Sequence, residues 1–177
     1  MDFQTLFQRG MKRKLPPLLE GPAGPSFDLG ASGKFVAPGS TPLGLPGWVF
    51  PRDRIPAEDG SISIIHAYHF LEHLPSTTAI LLLREVERVL MVGGVMNFSI
   101  PYYSSVLAIQ DLTHHSFWCE ETFNILFKIA PSYGYDPGGT RGMAGGTDAP
   151  WRLRVHFLLI AGIVSRNMAL VGQLVKE

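Results

Sequence analysis

The feature that most constrains this chain is residues 59–101, DGSISIIHAYHFLEHLPSTTAILLLREVERVLMVGGVMNFSIP. Ile62, Ile64 and Ile65 lie in a β-branched run, which reads as a buried strand. A short turn, Phe70-Leu71-Glu72-His73, follows. The spacing then predicts a helix over about residues 77–91, capped by Ser76 or Thr77. Ile80, Leu83, Val86 and Leu90 form one apolar stripe, widened by Leu82 and Val89. Arg84, Glu85, Glu87 and Arg88 take the other side, as i,i+3 pairs. Gly93 and Gly94 are expected to stop the helix, because an αL residue commonly follows a helix end. Val95 to Ile100 reads as the next strand, ended by Pro101. Strand, helix and strand make a βαβ unit, so the fold class is α/β with a parallel sheet.

The rest of the chain arranges itself around that unit. Ser26 to Leu29 reads as a short strand running into Gly30-Ala31-Ser32-Gly33. Residues 34–60 carry Pro38, Gly39, Pro42, Gly44, Pro46, Gly47, Pro51, Pro56 and Gly60. Proline fixes φ and removes a donor, so no long helix fits there, and a second strand is expected near Thr41 to Leu45. Residues 102–119 read as a polar-aromatic loop. Glu120 to Ile129 reads as a helix with Phe123, Leu126 and Phe127 on one side. Residues 131–150 are a glycine-rich loop. The apolar runs 153–164 and 168–175, joined at Ser165-Arg166-Asn167, read as a β-hairpin, although their composition also suits a helix pair. Ligands of open α/β sheets sit beyond the carboxyl ends of the strands. Here those ends are Gly30 to Gly33, Ala67 to His69 and Pro101 to Ser105.

Composition narrows the function classes. Lys+Arg and Asp+Glu are 15 each, so no global basic field points to nucleic acid or anionic lipid. A single cysteine, Cys119, excludes an intramolecular disulfide framework and a multi-cysteine zinc site. It reads as a small buried side chain. The longest apolar run, 157–164, has eight residues, against about 20 for a membrane span. Lys12, Arg13 and Lys14 follow no long apolar run, so residues 1–25 read as an arm and Pro/Gly-rich tether, not a secretory signal. A soluble cytoplasmic protein is the expectation. Phe3, Leu6 and Phe7 of the arm would suit docking on the body or homo-oligomer contacts.

Asp59-Gly60-Ser61, Leu71-Glu72-His73, Glu85, Arg88-Val89-Leu90 and Gly93-Gly94 together resemble class I S-adenosylmethionine-dependent methyltransferases, more narrowly the methyltransferase type 11 group. The resemblance is close over about 40 residues and looser from Phe27 to about Phe127. It implies a Rossmann-like methyltransferase sheet with helices on its faces. That domain would span residues 26–177, be shortened at its first βα unit, and end in the β-hairpin. It also implies S-adenosylmethionine as cofactor and methyl transfer to an unidentified acceptor, a small molecule among the candidates.

Phe27-Asp28-Leu29-Gly30-Ala31-Ser32-Gly33 resembles the family's first motif. Carried over, Gly30, Ser32 and Gly33 flank the cofactor, and Asp28 holds the amino group of its methionine moiety. Asp53 stands near the adenine amino group and Ile55 against the adenine face. Ala67, Tyr68 and His69 close the pocket over the methyl donor. The chain departs from the family in five respects. Ser32 replaces a glycine, and Ser63 and Met91-Val92 replace the family's Asp and Lys-Pro. No helix fits after Gly33. Gly44 stands where the family has an acid that holds the ribose hydroxyls. That last change supports the competing reading, a non-catalytic scaffold that keeps the fold. A nicotinamide-type dehydrogenase is disfavoured because its fingerprint needs a helix after the glycine loop.

In-line methyl transfer needs orientation and, for a weakly acidic nucleophile, a base. Tyr102, Asp111 and His114 are the candidates, with Tyr103 and His115 beside them. Asp111 to Trp118 resembles a D-x-T-H-x-x-F-F stretch of the family. The structural alternative is that Asp111 caps a turn, His114 bonds to backbone, and Phe117 and Trp118 seal the sheet edge. His66, His69 and His73 lie close in sequence, and His69 and His73 are spaced i,i+4. No carboxylate or third histidine is evidently placed for a facial site, so no metal is expected, and Glu72 and His73 are given a corner-forming role. Trp48 and Trp151 read as packing residues. Arg152 and Arg154 read as a solvated strand edge.

Overall fold

The computed structural model describes residues 17–31, 36–127, 151–161 and 168–177. Its elements, in order, are β1 (Ser26–Leu29), β2 (Thr41–Leu43), β3 (Ile62–Tyr68), a 3-10 turn (Leu71–His73), α1 (Ser76–Val89), β4 (Leu90–Pro101), α2 (Val106–Ile109), α3 (Glu120–Phe127), β5 (Leu153–Ala161) and β6 (Ala169–Lys176). They form one six-stranded sheet in the order β2-β1-β3-β4-β6-β5. The pairs β1–β2, β1–β3 and β3–β4 are parallel, and β4–β6 and β5–β6 are antiparallel. The tail is therefore the expected hairpin, packed against β4. Its joining residues Ser165-Arg166-Asn167 lie outside the described residues, as do the glycine-rich loop and residues 1–16 of the arm.

Alternation along the strands sorts the sheet into two faces. Ile65, Ala67, Met96, Phe98, Ile100, Leu170 and Leu174 are buried with Leu82, Leu83 and Val86 of α1 and Phe123 of α3. Phe98 and Phe123 stack at 4.8 Å. The opposite face is polar along its middle, where Asp28, His66, Asn97 and Gln173 share one row of paired positions. Residues 17–25 run against it. Gln173 exchanges both amide bonds with the Leu19 backbone, Ser63 Oγ donates to the Pro22 carbonyl, and His156 meets the Pro17 carbonyl. This part of the tether lies on the sheet because buried Ser63 and Gln173 keep hydrogen-bonding capacity beyond the one bond from Gln173 Nε2 to Asn97.

Two local expectations are corrected. The helix has no side-chain cap: Pro75 is its N-cap and Ser76 is already helical. Proline, with φ fixed near the value the cap adopts, takes the position instead. Nor do Gly93 and Gly94 stop the helix. It ends at Val89, and Leu90 is already extended and opens β4. Leu90 pairs with Ile62 and Val95 with Ile64, so residues 91–94 bulge between them, with Gly93 at φ +77°. Glycine here serves the bulge. Among the described residues no helix is long and apolar enough to cross a membrane.

Candidate functional site

The chain leaves β1 toward β2 on one side and leaves β3 toward β4 on the other, so the strand order reverses between β1 and β3. Crevices for ligands form at such switch points, beyond the carboxyl ends. Two backbone anomalies stand there. Gly30, one residue past β1, has φ +77°, and His69, one residue past β3, has φ +51°. A non-glycine residue in that region is uncommon and is held by its surroundings. The His69 N–H donates to the Ser99 carbonyl, and its Nδ1 lies 3.2 Å from Glu72 Oε1.

Asp28 is buried, and burial raises the pKa of its carboxyl against the lowering effect of the Ala37 N–H. That N–H donates to Oδ2 at 2.7 Å, which leaves Oδ1 without a donor among the described residues. His66 and Tyr68 stand beside it on the same face, joined at 2.7 Å between Nδ1 and OH. Burial lowers His66 to about 4. Burial, then the Asp28 charge, raises Tyr68 far above the usual phenol value.

Gly30 faces Phe70, and a Cβ there would come 2.4 Å from the Phe70 ring. Phe70 in turn lies 6.1 Å from the Trp48 ring. Gly44, at the end of β2, is equally crowded. A Cβ would approach the Ala31 carbonyl oxygen to 2.8 Å, so the loop after β1 fills the place where an acidic side chain would start. Ser32 and Gly33 lie outside the described residues.

Asp53 sits in the turn after Phe50, where its Oδ2 accepts from the Val49 N–H. The Arg52 guanidinium, then that N–H, hold its carboxyl below the usual range. Ile55 is buried in the main core. Its N–H donates to Glu85 and its carbonyl accepts from Arg88. Ala67 is fully buried on the helix-covered face.

The loop after β4 brings two sequence motifs together. The Glu72 carbonyl accepts from the His115 and Ser116 N–H groups, and Ser116 Oγ donates to the Leu71 carbonyl. The Leu71–His73 turn is thus stitched to residues 111–118. Asp111 caps a turn, with Oδ1 accepting from the Thr113 N–H and hydroxyl. The Thr113 hydroxyl, then its N–H, lower the Asp111 pKa. His114 Nδ1 lies 3.2 Å from the Ala108 carbonyl, and its Nε2 is 3.9 Å from Asp111 Oδ2. Tyr102 turns to Glu120, 3.1 Å away, and burial, then that bond, raise its phenol to about 12. The structural alternative for this stretch holds in part. Trp118 is buried and donates to Ser116, but Phe117 is 56 % exposed and seals nothing.

Sequence reasoning assigns Phe70, which packs on Gly30, no role beyond its turn, and assigns Glu72 and His73 only a corner-forming one. Glu72 is buried, and its Oε2 has no hydrogen-bond partner among the described residues. The signal was present in the sequence as an acid and a histidine directly after a strand, with a second histidine in the next crossover loop.

No family model matches the sequence, and no curated protein matches it significantly. Solved structures do. The fold is similar to the S-adenosylmethionine-dependent methyltransferase from Archaeoglobus fulgidus, at 14 % identity, TM-score 0.53, and 88 % of each chain. It is similar to mitomycin 7-O-methyltransferase MmcR, at 13 % identity and TM-score 0.55, over 88 % of this chain and 49 % of that one. It is also similar to the arsenic (III) S-adenosylmethionine methyltransferase from Chlamydomonas reinhardtii, at 17 % identity and TM-score 0.50, over 95 % of this chain and 67 % of that one. At such identities the likeness is one of fold.

Proposed function

We propose that this chain, which has the fold of class I S-adenosylmethionine-dependent methyltransferases, binds that cofactor at the β1/β3 switch point and transfers its methyl group to an acceptor. The carrying observation is the pair of left-handed residues, Gly30 and His69, at the carboxyl ends of adjacent strands where the order reverses. The residues fit the methionine end of the cofactor. Asp28 Oδ1 is an acceptor with no donor among the described residues, suited to an ammonium group. Gly30 supplies the backbone wall, and Ala67, Tyr68 and His69 supply the opposite wall. Asp53 and Ile55 serve the adenine end. The cofactor, when bound, supplies an activated methyl on a sulfonium.

The chain's own part is to orient the acceptor and take its proton. Tyr102 is committed to Glu120, and its high pKa keeps it protonated. Asp111 is a weakened base because Thr113 stabilises its charged form. His114 is the base of the set. Its Nδ1 faces only an acceptor, the Ala108 carbonyl, so Nδ1 carries the proton and the Nε2 lone pair remains.

One observation favours the second reading, a scaffold that no longer turns over. Gly44 leaves no room for the carboxylate that would hold the ribose. Calorimetric titration with S-adenosylmethionine and S-adenosylhomocysteine distinguishes the two. Methyl transfer requires micromolar binding that weakens at least tenfold in Asp28→Asn (about 1.4 kcal/mol). A folded chain that binds neither ligand at millimolar concentration is the scaffold.

A further inference from the structure

We infer that Glu72, His73 and His114 form a binding site for a first-row divalent transition ion of the zinc type. One ligand atom from each lies within 4.8 Å of the others. The chemistry of the donors follows from their partners. His73 Nδ1 lies 3.0 Å from Thr113 Oγ1 and 3.3 Å from the Thr113 carbonyl. The one proton of that hydroxyl goes to Asp111 Oδ1, 2.7 Å away. Both Thr113 oxygens are therefore acceptors toward His73, and Nδ1 must carry the proton. His114 Nδ1 meets the Ala108 carbonyl and carries its proton for the same reason. Each neutral imidazole then presents an unprotonated Nε2 lone pair. Histidines that bind metals are held in this way, with the other nitrogen donating to a carbonyl.

The third donor is the most demanding. Glu72 is 1 % exposed, and its Oε2 has no hydrogen-bond partner among the described residues. Its Oε1 is oriented by His69. A buried carboxylate oxygen without a donor is costly, and a cation bound by Glu72 and the two imidazoles would remove that cost. Asp111 Oδ2 lies 3.9 Å from His114 Nε2, at the edge of the cluster. Two imidazoles with carboxylate oxygen suit zinc or ferrous iron and not magnesium or calcium. Among the described residues the cluster joins the turn after β3 to the loop after β4, so the ion would clamp these two segments. The site does not depend on the methyl-transfer reading, and an ion and a transferred proton compete for the same His114 lone pair.

The test uses the full chain, stripped with chelator and checked for folding by circular dichroism. Zn2+ is added in equilibrium dialysis, and Co2+ is followed by its visible absorption. The expected result is about one equivalent per chain, with the d–d bands of nitrogen–oxygen coordination. Affinity should fall about 100-fold or more in His73→Ala and His114→Ala and stay unchanged in His156→Ala, a histidine on β5 away from the cluster. Glu72→Gln should behave like the histidine variants. If burial makes it unfold, the two histidine variants carry the test. A folded chain that takes up no stoichiometric Zn2+ overturns the inference. So does binding that survives both histidine substitutions or that disappears with His156.

Discussion

The two ends of the sheet are built on opposite principles. At the amino end, before β3, charges are matched. Arg88 Nε lies 2.8 Å from Glu85 Oε1, while Arg88 also reaches Asp59 and the carbonyls of Ile55 and Ala57. Arg54 closes on the same Glu85 oxygen from the loop side. Burial opposes the Glu85 charge, yet Arg88 and Arg54 outweigh it and hold the carboxyl at about 2. Lys176 Nζ donates to the Leu90 carbonyl, and the Arg152 Nε–H to that of Glu177. At the carboxyl end the pairing is left open. Glu72 keeps an oxygen unpartnered among the described residues, His69 holds a left-handed backbone, and Ile109, Leu112 and Phe117 stand exposed. The amino end stabilises the turn-rich segment before β3. The carboxyl end carries the unsatisfied groups that ligands require.

The largest effect should come from forcing the missing acid onto the carboxyl end. Gly44→Asp places a Cβ against the Ala31 carbonyl and should cost about 3 kcal/mol, read as a fall in Tm, without tightening S-adenosylmethionine binding. A variant that folds normally and binds the cofactor better would break the contrast.

The ends should also separate in acid. His66 has a folded pKa of about 4 against an ordinary 6.5, so the unfolded chain binds its proton first. Its stabilising contribution is complete above pH 6.5 and is lost as pH falls toward 4, by roughly 2–3 kcal/mol. Glu85, lowered from 4.5 to about 2, contributes fully above 4.5 and fails only near 2. Denaturant titrations from pH 7 to 4 should therefore show a loss that His66→Phe removes and Glu85→Ala does not.

At the amino end, Glu85→Ala strips partners from Arg88, Arg54 and the Ile55 N–H and should cost about 2 kcal/mol at pH 7. The smallest change in stability belongs to Asp53→Ala, a half-exposed turn carboxylate. Thermal melting should not move, while affinity for S-adenosylhomocysteine should drop about tenfold if the residue serves the adenine end.

Much of the helix-covered half was legible because its cause is local. The apolar face of Leu82, Leu83, Val86 and Val89 fixes α1, with Ile80 of the expected stripe outside its buried side, and the β-branched run around Ile64 fixes β3. The i,i+3 pairs Arg84–Glu87 and Glu85–Arg88 both form, at 3.4 Å and 2.8 Å. Gly44 was legible as the end of the second strand, but the reason that no side chain fits there, the Ala31 carbonyl, is a tertiary contact. Gly93 misled because glycine serves a bulge as well as it serves a helix stop. Glu72, His73 and His114 were each noticed, but nothing in sequence spacing shows that residues 41 positions apart bring one ligand atom each within 4.8 Å of a buried carboxylate's. That depends on where Thr113 and Asp111 send their hydrogen bonds.

Hydrogen exchange with and without saturating S-adenosylhomocysteine tests the division of labour most directly, because it reads both ends in one sample. The account predicts slowed exchange at residues 28–31 and 67–71, with residues 85–90 unchanged. Protection confined to the amino end, or none anywhere in a folded chain, would contradict it.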